Sequence, residues 1–281
     1  MTTPKTILIT GCSAHGIGAA LAIALARKGH HIFATARNIS KIPDTLKCLS
    51  NVTTLQLDVT SATSISEAVR TVESHGQCLD ILVNNAGAGY TIPLLDANLD
   101  TAQQVYDTNV WGVLRMIQGF GSLLVKSGGR VVNISSVGGV VHTPWIGIYS
   151  SSKSALNILT DTLRLELRPL GVSVLTIMVG TVTTTFHANE PEVILPPTSR
   201  YTAIRDTISQ WATGKAGPKG CSVTEFAELI VDDVLGGNGV IWRGPNSGAV
   251  WFVSRWFPSW LLDRLMSMGQ GLGNLAEAVR K

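Results

Sequence analysis

The sequence predicts an α/β fold in which one parallel sheet is covered by helices on both faces. Three observations support it: short apolar runs alternate with longer segments of helical period, these runs are almost continuously hydrophobic, and a glycine-rich turn follows the first of them. The chain has 281 residues, of which 45% are hydrophobic, enough to bury one large core. Since no linker, low-complexity tract or repeat interrupts it, we expect a single domain over residues 1–281.

Each element of this fold follows from a local pattern. Seven short apolar runs predict strands at residues 6–10, 31–36, 53–57, 81–83, 130–134, 173–178 and 240–242. Five segments with apolar residues three and four apart predict helices at residues 18–28, 64–74, 101–126, 147–168 and 223–235. Ser64 and Glu67 stand three apart before an apolar run, which predicts a capping box.

Two late segments depart from the strand and helix rhythm. Residues 184–222 hold several prolines and glycines, which predicts a long irregular insertion acting as a variable substrate lid. Residues 244–281 form an aromatic C-terminal tail, and four of the seven tryptophans lie between Trp242 and Trp260. These aromatic side chains either pack on the sheet or on a second subunit, or lie at a membrane or lipid-droplet surface. With Val140, His142 and Trp145, lid and tail are expected to wall an apolar pocket for a bulky substrate.

Composition excludes several classes of function. The formal net charge is +3, only 15% of residues are charged and no basic cluster occurs, so we expect a small-molecule partner and no nucleic acid. The four cysteines lack CxxC or histidine-flanked spacing, which predicts free thiols and no metal. The first residues lack the apolar segment of a signal peptide and no run is long enough for a transmembrane helix. We therefore expect a cytoplasmic protein, peripheral to the endoplasmic reticulum or lipid droplets if the tail contacts lipid.

The glycine-rich turn lies in residues 8–20, LITGCSAHGIGAA. Gly11 and Ser13 fit the start of a hydrolase nucleophile motif, G-x-S-x-G, but His15 occupies its closing glycine position. Phosphate binding fits better, because Gly11, Gly16 and Gly18 connect a strand to a helix whose free N–H groups attract an anion.

Further motifs follow this turn in a characteristic order. They are LDV at 57–59, NNAG at 84–87, NVWG at 109–112, NISS at 133–136 and YSSSK at 149–153. With the first turn, they resemble the short-chain dehydrogenase/reductase family from about residue 5 to residue 185. The resemblance implies a single Rossmann domain with a seven-stranded parallel sheet that binds a nicotinamide dinucleotide. It also implies a homo-oligomer, a dimer or a tetramer.

Two departures from the family pattern point to a subgroup. Four residues separate Gly11 from Gly16, where the family has three, and Val179 replaces the proline that usually precedes Gly180. These features resemble the NADPH-dependent 1-acyldihydroxyacetone-phosphate reductases and related fungal ketone reductases.

The resemblance assigns cofactor contacts along the whole domain. They are Gly11, Ser13, His15, Gly16, Ile17, Gly18, Arg37, Asp58, Val59, Asn85, Ala86, Gly87, Tyr149, Lys153, Gly180, Val182 and Thr184. The second strand ends in Thr35-Ala36-Arg37, without the carboxylate that binds the ribose 2′-hydroxyl of NAD. Because Arg37 can pair with a 2′-phosphate instead, and His15 can add a donor, we expect NADPH/NADP⁺.

The catalytic residues implied by the family are Asn109, Ser136, Tyr149 and Lys153. Tyr149 and Lys153 stand four apart and therefore share one helix face. Reduction of a carbonyl needs a proton donor beside the developing alkoxide, the role assigned to Tyr149. We expect positive charge from Lys153 and the oxidised nicotinamide to lower the pKa of Tyr149, and Ser136 to bind the substrate oxygen. Asn109 is expected to kink its helix and to hold a water on a proton path to the lysine.

The remaining polar candidates have structural interpretations. Ser135 should point away from Ser136, because side chains alternate along a strand. His142, His187 and the pair His30 and His31 show no metal spacing and are interpreted as loop or surface residues.

Together these observations predict an NADPH-dependent reductase of a hydrophobic ketone, lipid-like or from secondary metabolism, acting on the CH–OH group. An NAD(P)⁺-dependent alcohol dehydrogenase working in the oxidative direction is one alternative. A non-enzymatic dinucleotide-binding or lipid-associated protein of the same fold is the other, although all four catalytic residues are present.

Overall fold

A computed structural model describes residues 3–76 and 78–280. Its main sheet has seven parallel strands in the order β3-β2-β1-β4-β5-β6-β9. These strands are β1 Thr6–Ile9, β2 His31–Ala36, β3 Val52–Gln56, β4 Ile81–Asn84, β5 Arg130–Ser136, β6 Ser173–Val179 and β9 Gly239–Arg243. Two short strands, β7 Val182–Thr183 and β8 Cys221–Ser222, pair in parallel outside this sheet. The predicted α/β fold with seven parallel strands is confirmed.

Helices cover both faces of the sheet. They are α1 Ile17–Arg27, α2 Asp44–Lys47, α3 Ala62–Gly76, α4 Leu99–Tyr106, α5 Gly112–Ser127, α6 Gly147–Leu167, α7 Arg205–Ala212, α8 Val223–Gly236, α9 Ser247–Trp256, α10 Ser259–Ser267 and α11 Leu272–Arg280. No helix within the described residues is long and apolar enough to cross a membrane.

The alternation of side chains along the strands builds two cores. Ile7 and Ile9 of β1 face a buried cluster that includes Phe226 of α8. Leu8 points to the opposite face and packs in a second cluster with Phe120 of α5. Complete burial of such side chains stabilises the fold by about 1.5–3 kcal/mol each, so both helical layers contribute to holding the sheet.

Two helix boundaries differ from the predicted ones. Helix α3 begins three residues after Val59, and the Ser61 hydroxyl accepts a hydrogen bond from the Ser64 N–H at 3.2 Å. The predicted capping box of Ser64 and Glu67 is therefore wrong. The predicted helix at 101–126 is interrupted by a π-helical segment, Asp107–Trp111, that separates α4 from α5.

Two histidines also lie elsewhere than predicted. His30 is almost fully buried, and its Nδ1 accepts a hydrogen bond from the Lys5 N–H at 3.2 Å. His31 lies in β2, where its ring stacks on His75 with 4.0 Å between centroids. The interpretation of this pair as loop or surface residues is wrong, because the chain enters the central sheet at His31.

The insertion at 184–222 is more ordered than its composition suggests. Pairing of β7 with β8 brings its two ends together, and it contains α7. Ile204 and Ile208 form a third buried cluster with Trp145, against which Leu272 and Leu275 of α11 pack. The insertion thus has a small core of its own, and the C-terminal tail covers part of it.

The aromatic residues of the tail are directed to solvent in this chain. The exposed fractions of Trp251, Trp256 and Trp260 are 36%, 69% and 65%. The guanidinium of Arg255 lies 5.1 Å from the centre of the Trp251 ring. Packing of these three tryptophans on the sheet, one of the alternatives drawn from the sequence, does not occur.

Candidate active site

The glycine-rich turn between β1 and α1 is shaped for close approach of a ligand. Gly11 has a φ of +73°, and a Cβ on Gly18 would lie 2.5 Å from Asn85 Nδ2 and 2.6 Å from the Gly11 carbonyl oxygen. Gly16 precedes α1 and supplies no side-chain cap, so the first N–H groups of the helix, from Ile17 onward, stay available to an anion. The turn therefore fits the pyrophosphate of a dinucleotide.

Asn85 holds this turn in place. Its side-chain amide donates hydrogen bonds to the carbonyl oxygens of Thr10 at 2.8 Å and Gly11 at 3.1 Å. The Thr10 hydroxyl accepts from the N–H groups of Asn85 and Ala86, both at 2.9 Å. The structure thus gives the Asn85 side chain a bracing role, and the backbone of residues 85–87 is left to line the cofactor cleft.

His15 and Arg37 lie on two neighbouring loops that a backbone hydrogen bond joins. His15 adopts a φ of +62°, which is rare for a residue with a side chain, and is exposed beside Ser13 in the extended turn. The Ala14 N–H donates to the Lys41 carbonyl oxygen at 2.8 Å, which joins this turn to the loop that follows Arg37. Lys41, which the sequence did not single out, adds an exposed cation to the same region.

Asp58 and Val59 follow β3. Asp58 Oδ1 accepts from the Thr60 N–H at 2.9 Å and from the Thr60 hydroxyl at 2.8 Å, which fixes the carboxylate at the strand end. Val59 is buried, and a Cβ on Gly112 would lie 2.8 Å from its methyl group. The glycine of NVWG is therefore required by packing against this cofactor-facing strand end.

Gly180, Val182 and Thr184 lie at the exit of β6. A Cβ on Gly180 would overlap the Pro245 carbonyl oxygen, so this glycine is needed for the close passage of the tail. Val182 pairs with Cys221 in the small sheet. The Thr184 hydroxyl accepts from the Phe186 N–H at 3.1 Å, which orients the first residues of the lid.

Ser136, Tyr149 and Lys153 come together where β5 ends and α6 begins. Ser136 is the last residue of β5, and its hydroxyl accepts from the Gly138 N–H at 3.0 Å. Lys153 Nζ lies 5.9 Å from the centre of the Tyr149 ring and donates to the Ile134 carbonyl oxygen at 3.0 Å. The predicted catalytic side chains therefore share one site, in which Lys153 is buried and Ser136 and Tyr149 are partly exposed.

Burial has the largest effect on the pKa values of Tyr149 and Lys153. It raises the pKa of Tyr149 to about 12, a hydrogen bond with the Ser136 side chain opposes the rise, and the charge of Glu190 adds to it. Burial also lowers the pKa of Lys153 to about 8. The predicted lowering of the Tyr149 pKa is therefore wrong for the protein's own groups, because the loss of hydration outweighs the other influences.

Asn109 lies in the π-helical segment and is completely buried. Its side-chain nitrogen donates to the Ala88 carbonyl oxygen and to the Ser152 hydroxyl, both at 2.9 Å, and its oxygen accepts from the Ala88 N–H at 2.8 Å. Asn109 thus ties residues 85–89 to α6 one residue before Lys153. Its predicted kink is present, and Ser152 is a partner that the sequence did not indicate.

The other candidates have structural roles. The Ser135 hydroxyl donates to Asn157 Oδ1 at 2.5 Å, on the opposite side of β5 from Ser136, as predicted. His142 is exposed and contacts Asp263 of α10 at 2.6 Å. All four cysteines are free, and no three His, Cys, Asp or Glu side chains in the described parts of the chain could hold a metal.

The lid contributes a residue to the site that sequence reasoning missed. The ring of Phe186 meets the ring of Tyr149 edge to face, with 5.6 Å between centroids. In the sequence, Phe186 could have been identified only from its position two residues after Thr184. Phe186 walls the site on the side of the lid.

Comparison with known proteins decides the family. Residues 5–193 match the family model described as short chain dehydrogenase. The chain belongs to the short-chain dehydrogenase family. The relative named short-chain dehydrogenase ptmH, from Penicillium ochrochloron, is 44% identical over 261 residues, which cover 92% of this chain and 95% of that protein. The NADPH-dependent 1-acyldihydroxyacetone phosphate reductase of Schizosaccharomyces pombe is 34% identical over 84% of this chain and 80% of its own length.

Solved structures of short-chain dehydrogenases share the fold. One from Burkholderia cenocepacia in complex with NADP has a TM-score of 0.75 at 24% identity and covers 93% of this chain and 97% of its own. One from Burkholderia phymatum in complex with NAD has a TM-score of 0.76 at 24% identity, covering 90% and 92%. As a member of this family the chain is an oxidoreductase of the nicotinamide-dinucleotide-dependent class, and its glycine turn fits that cofactor.

The crowding around Gly18 gives a direct test of the cofactor turn. We expect Gly18→Ala to weaken binding of the dinucleotide at least ~10-fold and to lower the melting temperature, since a methyl group there displaces the Asn85 brace. Gly121→Ala in α5 is the matched control, because no atom lies within 4 Å of the added Cβ. Cofactor titration by fluorescence and thermal melting measure both effects, and equal behaviour of the two variants would contradict the assigned role.

Proposed function

We propose that this protein reduces a bulky, hydrophobic ketone to an alcohol with NADPH. The observation that carries the proposal is the buried Tyr149, whose pKa of about 12 keeps its proton in place at physiological pH. A protonated phenol hydrogen-bonded to Ser136 is ready to donate to a carbonyl oxygen that gains negative charge. Oxidation of an alcohol would require the phenolate, which this buried environment disfavours.

Each catalytic residue has one task in this proposal. The bound cofactor supplies the hydride. Ser136 donates a hydrogen bond to the substrate oxygen, and Tyr149 transfers its proton to the same oxygen. Protonated Lys153 stabilises the phenolate that remains. Asn109 holds the lysine-bearing turn of α6 through Ser152.

The preference for NADPH over NADH is supported by charge at the end of β2. Arg37 is exposed there, next to the loop whose Lys41 carbonyl binds the turn carrying His15. No carboxylate follows β2 before Asp44. The fission-yeast relative is named as NADPH-dependent. A 2′-phosphate would therefore meet cations at this position.

The alternatives are an alcohol dehydrogenase working in the oxidative direction and a binding protein without activity. The high pKa of Tyr149 weighs against the first. The burial of Lys153 beside Tyr149 weighs against the second, because burying an amine costs stability that mere cofactor binding does not require.

We also propose a homo-oligomer and a lipid-facing tail in the cytoplasm. Exposed apolar side chains on the outer faces of α5 and α6, such as Val125, Ile158 and Leu165, support association with a second copy. Trp256 and Trp260 support contact of the tail with a lipid surface.

Replacement of Tyr149 by phenylalanine tests the proton donor. We expect Tyr149→Phe to reduce kcat for NADPH oxidation with a ketone by at least ~10²-fold, since general acid catalysis contributes that much, while NADPH still binds. Tyr106→Phe is the matched control, because Tyr106 ends α4 and is not one of the predicted site residues. Turnover by Tyr149→Phe at the wild-type rate would refute the mechanism.

The pH profile tests the role of Lys153. The lysine must be protonated to stabilise the phenolate, and its pKa is about 8, so we expect kcat for reduction to fall as the pH rises above about 8. Tyr149 keeps its proton to about pH 12 and does not cause this fall. In Lys153→Arg, whose side chain stays charged, a lower but pH-independent rate is expected between pH 7 and 10. A fall that persists unchanged in this variant would assign it to another group.

Removal of Arg37 tests the cofactor preference. Loss of one charge-assisted contact with the 2′-phosphate should weaken NADPH binding about 10- to 100-fold and leave NADH binding unchanged. Arg27→Ala, at the exposed end of α1, controls for the loss of one positive charge. Fluorescence titration with NADPH and with NADH measures the ratio of their dissociation constants. An unchanged ratio in Arg37→Ala would remove the basis for NADPH selectivity.

A further inference from the structure

The lid carries a buried carboxylate that the proposed mechanism does not use. The side chain of Glu190 is only 3% exposed. Its Oε2 accepts a hydrogen bond from the Thr91 hydroxyl at 2.7 Å, and its Oε1 lies 2.7 Å from His187 Nδ1. Buried carboxylates are costly unless they are bonded in this way, so the group is held in one position.

This carboxylate borders the catalytic residues. A Cβ built on Gly89 would lie 2.6 Å from Glu190 Oε1 and 2.7 Å from the ring of Phe186. The ring of Phe186 contacts the ring of Tyr149. Gly87 lies two residues before Gly89, and a Cβ built on Gly87 would be 3.7 Å from Lys153 Nζ. Glu190 therefore lies next to the residue of the lid that contacts Tyr149.

The charge of Glu190 reaches the reacting groups. Burial raises the pKa of Tyr149 most, and the negative charge of Glu190 raises it further. A substrate that carries an anionic group into this part of the cleft would meet the same repulsion. An uncharged group at the same place would meet no such repulsion.

We propose that Glu190 is a specificity-determining residue that excludes anionic ketones, such as phosphate esters, and so favours uncharged ketones. The inference rests on the proposed ketone reductase, whose substrate class it narrows. It separates this protein's preference from the reaction named for its fission-yeast relative, whose substrate is a phosphate ester.

The test uses two ketones of one skeleton, 1-hexanoyl-dihydroxyacetone and its 3-phosphate, which differ by a hydroxyl and a phosphate. Binding of each to the enzyme–NADPH complex and NADPH oxidation with each are measured for wild type, Glu190→Gln and Glu192→Gln. Glutamine has the shape of glutamate, and its amide oxygen still accepts from Thr91. Glu192 is exposed on the same lid and controls for general loss of charge.

We expect wild type and Glu192→Gln to bind the uncharged ketone at least ~10-fold more tightly than the phosphate, and Glu190→Gln to reduce this ratio about 10-fold. Thermal melting checks that the variants fold. An unchanged ratio in Glu190→Gln, or an equal change in Glu192→Gln, would overturn the role of Glu190. The role of Glu190 would also be overturned if neither ketone bound to wild type or to either variant.

Ketone binding and NADPH oxidation are measured separately, so failure of this inference can be distinguished from failure of the proposed reaction. If the uncharged ketone binds selectively but NADPH is not oxidised, the proposed ketone reduction is refuted, whereas the role of Glu190 in ketone selectivity is supported. If both ketones are turned over and Glu190→Gln leaves the ratio of their affinities unchanged, the ketone reductase is supported and the role of Glu190 in selectivity is refuted.

Discussion

The hydrogen bonds between the carboxyl ends of β1 and β4 are the constraint on which the whole site depends. The Asn85 side chain binds the carbonyl oxygens of Thr10 and Gly11, so the glycine turn cannot move independently of the segment that follows β4. That segment is in turn fixed to the π-helical Asn109 through both backbone groups of Ala88. Hydrogen bonds to residues 85–88 therefore link the glycine turn to the predicted catalytic residues, the kind of fixed geometry that preorganised catalysis requires.

Local patterns predicted the elements of this unit, and tertiary surroundings decided the details. The seven strands and the four-residue spacing of Tyr149 and Lys153 could be read because each depends on neighbours in sequence. A capping box was assigned at Ser64, whereas the true one lies at Ser222, whose hydroxyl and Glu225 bond reciprocally. Both sites have the same S-x-x-E spacing. Only the position of the preceding Asp58 turn, which makes Ser61 the cap of α3, tells them apart.

The electrostatics of the site could not be read from the sequence for a related reason. Thr91 and Glu190 are 99 residues apart, and no local pattern indicates that they meet. The charges of Lys153 and the oxidised nicotinamide predict a lower pKa for Tyr149, whereas desolvation raises it. Desolvation needs the packed structure, since it depends on the lid, on Phe186 and on the depth of the sheet edge.

Burial moves the two central proton affinities in opposite directions and so determines where the proton resides. A free phenol and a free ammonium have similar pKa values near 10. Here they stand at about 12 for Tyr149 and about 8 for Lys153, so between these values the pair is uncharged. Below pH 8 the site holds a neutral acid beside a cation, the combination that favours donation to an alkoxide. The packing around this sheet edge thus determines which of the two groups carries a proton at a given pH.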